Sequence, residues 1–130
     1  MNYKIIAIFT SLILVLGTLA VIPFGIWLER NELISTSPMF HLFYLGMYMT
    51  GLVVEFIVFY FLYMQKINKP TQHAFIIGIL CLIISNSLLY ILVGIQPPPL
   101  LVVIDTVITV IAIYLALYIA KIRGKLSISA

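Results

Sequence analysis

Charge is scarce in this sequence. Lys and Arg number 7 and Asp and Glu 4, so 8% of the 130 residues are charged, against about 25% in soluble domains. No basic patch of the kind that grips a nucleic-acid backbone is present, so no nucleic-acid partner is expected. A single cysteine, Cys81 in the apolar stretch LCLII, excludes an intrachain disulfide and a Cys-based metal site. It reads as a small, inert hydrophobe. Catalytic motifs are missing as well: there is no HExxH, GxSxG, CxxC or Gly-rich phosphate loop. In a four-span arrangement His41 and His73 fall near opposite membrane faces and cannot share a metal or a haem. Both read as residues at the starts of helices. No enzymatic activity, cofactor or metal is expected.

What fills the sequence instead is apolar, at 64%. A soluble core in so short a chain could not hide that much apolar surface. Four uninterrupted segments carry it, at about 5–28, 39–64, 74–95 and 100–120. Each has roughly 21–26 residues, enough at about 1.5 Å per residue to cross a hydrocarbon layer of about 30 Å. None alternates as a barrel strand would. The expected fold is therefore all-α: a single four-transmembrane-helix antiparallel bundle with short loops. ERNELISTSP (29–38) separates the first pair, with Ser37 placed to cap and Pro38 to open a helix. QKINKPTQH (65–73) separates the second pair, and QPPP (96–99) cannot continue a helix.

The few charges are unevenly distributed. In a four-span arrangement Lys4, Lys66, Lys69, Lys121, Arg123 and Lys125 fall on one side, and Arg30 lies alone with Glu29 and Glu32 on the other. The positive-inside rule then puts both termini in the cytoplasm, with the plasma (inner) membrane as the expected location. Lys4, the apolar stretch after it and TLA (18–20) are also the parts of a signal peptide. The apolar residues continue through VIPFGIW to Leu28, longer than a signal core, so retention of helix one is expected. Trp27, Phe40 and Tyr90 near one edge, and Tyr3, Tyr60, Tyr63 and Tyr118 near the other, fit aromatic belts.

Two acids interrupt the apolar runs: Glu55 within TGLVVEFIVFYF and Asp105 early in the fourth segment. Such residues usually face the bundle interior or a wet cavity and are functional candidates by default. Tyr44, Tyr48, Gly51 and Glu55 share a stripe, as do Asp105, Thr109, Ala112 and Ala116. Helix three offers Gly78, Cys81 and Ser85 on one line with Asn86 beside them; helix one offers Ser11, Thr18 and Gly25. The Gly, Ser and Thr positions read first as packing seams. Depths counted from the segment ends give an outer station (Asp105, Asn86, Tyr48, Thr18) and an inner one (Glu55, Tyr114, Ser11). The two acids come out about 15 Å apart along the membrane normal. No Lys or Arg lies in either span; a neutral carboxylic acid could donate to a Tyr or Ser oxygen, which lowers the cost of burial.

Four short helices with an acid at membrane depth resemble, in outline, the small multidrug-resistance exporters. That family carries its essential glutamate in the first helix, and helix one here has no acid, so no membership is assigned. Two classes of function fit the residues. One is a homo-oligomeric transporter of protons or a small cationic or lipophilic solute, with Glu55, Asp105, Asn86, Tyr48 and Tyr114 as its site. The other is a non-catalytic accessory subunit of a larger membrane complex, respiratory or secretory, in which the polar stripes dock a partner.

Overall fold

The structure, a computed structural model, describes residues 1–30, 38–94, 96 and 99–124. The expected cap at Ser37 and the loop beyond Arg30 lie outside the described residues. So do the side chains of Trp27, Phe40, His41 and Tyr44.

Four helices make up the fold: α1 (Tyr3–Arg30), α2 (Pro38–Met64), α3 (Pro70–Val93) and α4 (Pro99–Ile122). Three of them open on proline, where the missing N–H has no intrahelical partner to lose and the fixed φ suits the first turn. This is why α3 starts at Pro70, ahead of the expected Ala74: Lys69 takes φ 53°, ψ 59° and Pro70 sets the helix running. At the other end Gly94 adopts φ 70° and gives its N–H to the Tyr90 carbonyl at 2.9 Å. A left-handed residue of this kind, nearly free for glycine, is a common helix stop. All four helices are long and apolar enough to cross a membrane.

Their arrangement sets which helices become neighbours. α1 packs on α2 and α3, and α4 packs on the same two; among the described residues α1 and α4 do not touch. Asn2 meets His73 and Thr10 meets Cys81, so α1 and α3 run in step. Gly78 abuts Thr109 while Phe75 meets Tyr114, so α3 and α4 run in opposite directions. The most extensive interface, α2 with α4, is consequently parallel. Short connectors fix the direction of successive helices but not which helices become neighbours. The α2–α4 pairing follows from side-chain shape. Ala112, Ala116 and Ala120 form a fully buried stripe of small residues on α4, in the same core as the buried Phe59, Leu62 and Tyr63 of α2. Small stripes let helices approach without a hydrophobic drive between them.

Among the described residues, the buried apolar side chains gather toward one end of the bundle. Ile6, Phe9 and Ile13 of α1, residues 58–63 of α2, Ala74, Ile77 and Cys81 of α3 and residues 109–120 of α4 contain its buried members. This is the end where α1 begins and α2 ends. The opposite end leaves Leu19, Ile22, Leu45, Ile91, Leu92 and Leu100 exposed.

Candidate functional site

The four helices bring polar side chains together at one level, on the edge of that core. From α4 the buried Thr109 donates its hydroxyl to Glu55 Oε1 of α2 at 3.2 Å. Thr109 has little freedom to move, because a Cβ at Gly78 of α3 would come within 2.8 Å of its Cγ2. One turn along α3, the Cys81 thiol donates to the Thr10 carbonyl of α1 at 3.8 Å. Cys81 is close enough to Glu55 for the two to interact electrostatically. Thr10, Glu55, Cys81 and Thr109 thus supply one residue from each helix.

Among the described residues, two oxygens in this cluster are buried with no hydrogen-bond partner: Glu55 Oε2 and Thr10 Oγ1. The contrast with other hydroxyls along the helices is informative. Thr18, Thr50, Thr106 and Ser85 each turn back to a carbonyl of their own helix. Thr10 does not, and Thr109 reaches across to α2. Buried polar atoms are nearly always paired, so an unpaired one stands out as a group with hydrogen-bonding capacity in reserve. A carboxyl with one oxygen held and the other open can hold a proton or a small cation.

The other candidates are placed differently from the depth estimates. Thr109 is level with Glu55, and Asp105 precedes it by four residues on α4, so Asp105 lies about 6 Å along the axis from that level. The acids are close enough to interact electrostatically; the expected 15 Å separation does not hold. It failed because depth was counted from the ends of each apolar run, which carries no information about the stagger of α4 against α2. Tyr48 is half-buried, two turns from Glu55 on the same stripe of α2. Asn86 makes no hydrogen bond with Asp105; its amide donates to Leu82 O in its own helix at 2.8 Å. It lines an open groove of about 890 Å³ with Tyr90, Gln96 and Val102. Tyr114 is 55% exposed and meets the Phe75 ring edge-on at 6.0 Å, away from Glu55. Ser11 and Thr18 are exposed, since the inward face of α1 is Ile6, Phe9, Thr10 and Ile13.

Thr10 is the residue that sequence reasoning missed, and Thr109 appeared there only as part of a seam. The available signal was spacing: Thr10 sits between Ile6 and Ile13 at intervals of four and three. In a helix apolar on all sides that signal is faint.

A second polar feature lies at the end where α1 begins. His73, expected to cap a helix at the interface, is buried. Its Nδ1 faces the Lys69 carbonyl at 3.0 Å and its Nε2 accepts the Asn2 N–H at 3.1 Å. Those partners require the hydrogen on Nδ1 and a neutral ring. The imidazole ties the start of α1 to the α2–α3 loop.

Comparison with known protein families, curated proteins and solved structures finds no match for this chain.

Proposed function

We propose that the chain is an integral protein of the plasma (inner) membrane that moves protons or a small cationic or lipophilic solute as a homo-oligomer. The observation that carries this reading is the carboxyl of the half-buried Glu55, with Oε1 accepting the Thr109 hydroxyl across α2 and α4 and Oε2 shielded from solvent without a hydrogen-bond partner among the described residues. An acid at that depth costs on the order of 2.5–3.5 kcal/mol by insertion scales and is rarely kept without a use. Glu55 is the station that takes up the proton or cation. Asp105, a turn away, is the relay between it and the end of the bundle where α4 begins. Thr109 orients the Glu55 carboxyl, and Tyr48 borders the same path.

Both termini and the Lys66–Lys69 loop are cytoplasmic in this reading, from the partition of the basic residues. Large apolar side chains fill the bundle where α1 begins and α2 ends, so a continuous pathway needs a second copy. Purified protein reconstituted in liposomes tests the proposal. It should collapse an imposed proton or monovalent-cation gradient faster than protein-free vesicles, and vesicles that hold their gradients equally well would contradict it.

One observation favours the accessory-subunit reading. Asn86, Tyr90 and Gln96 lie along the open groove among exposed Ile91, Leu92 and Leu100, polar groups that a partner helix could meet. Mass measurement after extraction in mild detergent separates the two: a homo-oligomer supports transport, and a stoichiometric foreign partner supports the subunit.

A further inference from the structure

Far from Glu55, at the end of the bundle where α1 begins, two segments more than sixty residues apart enclose a cup of about 630 Å³. Asn2, Tyr3 and Lys4 line one side; Lys66, Asn68 and His73 line the other. No acid is among its lining residues. Its walls are held together by His73, which accepts the Asn2 N–H and is anchored on the Lys69 carbonyl. Asn2 in turn caps α1, its Oδ1 accepting the Ile5 N–H at 3.3 Å. That leaves the earlier N–H groups of the first turn, on Tyr3 and Lys4, open at the positive end of the helix dipole.

The loop itself is strained at the same place. Lys69 is the one non-glycine residue with positive φ among the described residues. Conformations of this kind persist where surrounding contacts over-determine them, and they cluster at ligand clamps. Here the clamp is visible: the Lys69 carbonyl receives both the N–H of His73, at 3.4 Å, and its ring. Lys66 and Asn68, just before Lys69 in the loop, line the wall opposite Lys4.

We infer that this cup binds a phosphate group, that of an anionic lipid headgroup. Two ammonium groups, the amides of a helix start and the donors on Asn68 and Tyr3 supply the positive charge and hydrogen-bond donors that a phosphate oxyanion takes. The lipid source follows from position, and this step rests on the membrane insertion proposed above, though not on transport. The cup opens where α1 begins and α2 ends, at the level of the cytoplasmic headgroups, with the exposed Tyr3 ring at the interface.

The test uses the full-length protein in neutral detergent, titrated with phosphatidylglycerol against phosphatidylcholine and, separately, with inorganic phosphate, and read by native mass spectrometry. Retention in the membrane through an alkaline wash is checked first, so a failure of the membrane reading shows there and not in the titration. Wild type should hold phosphatidylglycerol selectively. Lys4→Gln combined with Lys66→Gln should weaken it about 30-fold, the loss for two ammonium groups at a headgroup surface. Lys121→Gln, outside the cup, should bind as wild type, and inorganic phosphate should compete. Inorganic phosphate binding without phosphatidylglycerol binding would overturn the lipid assignment. Equal affinity in wild type and the Lys4/Lys66 variant, or an equal loss in Lys121→Gln, would overturn the site.

Discussion

Gly78 offers the sharpest test of the packing that positions the polar cluster. A Cβ built there lies 2.8 Å from Thr109 Cγ2 and 3.6 Å from Ile113 Cδ1. Carbon atoms pack best at about 3.5–4.0 Å, so Gly78→Ala forces Thr109 or the whole α3–α4 contact to move by roughly 0.7 Å or more. Overpacking of this size costs about 1–3 kcal/mol. Alanine returns about 1 kcal/mol of helix propensity over glycine, which leaves a net loss of about 0–2 kcal/mol. The offending atom is the methyl of Thr109, and Thr109→Ser removes it while keeping the hydroxyl that binds Glu55. In that background Gly78→Ala should be neutral or stabilising by about 1 kcal/mol. A double-mutant cycle, followed by circular dichroism through reversible unfolding in mixed micelles, should therefore give a coupling of about 1–3 kcal/mol. A coupling under about 0.5 kcal/mol, the scatter of independent sites, would refute the reasoning.

The hydrogen bond itself is tested by Thr109→Val, which keeps the branched shape and removes the donor. It should cost about 0.6 kcal/mol and at most about 1.7 kcal/mol in the same unfolding assay, and no loss would show that Glu55 does not depend on it. On α2, Phe59→Ala should cost about 3–5 kcal/mol, because the ring is fully buried. Phe61→Ala, at 53% exposure, should stay within about 0.5 kcal/mol; equal losses would contradict the orientation of the helix. With Cys81→Ala as background, a cysteine at Asn68 should be labelled only after permeabilisation and one at Ser35 from outside, and the reverse pattern would invert the topology.

The elements were legible because their signal is coarse. An apolar run of membrane-spanning length bounded by proline reads as a helix without any knowledge of its neighbours, and Pro38, Pro70 and Pro99 each open one. Glu55 stood out for the same reason, as a lone acid in an apolar run. Its surroundings were harder to read. Facing residues on α1 depended on choosing between Thr10 and Ser11, adjacent hydroxyls about 100° apart on the helix, in a segment apolar on all sides. The stripe rule chose Ser11, and the structure buries Thr10. The distance between the acids depended on the stagger of α2 and α4, which is set by the Ala112–Ala116–Ala120 stripe meeting large side chains rather than by anything in the connectors. Asn86 shares the outer station with Asp105 by depth, but a helical Asn can satisfy its amide on its own carbonyl ladder, as it does here on Leu82.

The role of Glu55 is tested most directly by one comparison in proteoliposomes: gradient collapse by wild type against Glu55→Gln. The amide keeps the size of the side chain and can still accept the Thr109 hydrogen bond, but it cannot ionise. The account predicts a Gln variant that folds and assembles as wild type and shows no flux above empty vesicles. A Gln variant that carries protons or cations at the wild-type rate would contradict it, and Glu55 would then be a structural hydrogen-bonding group.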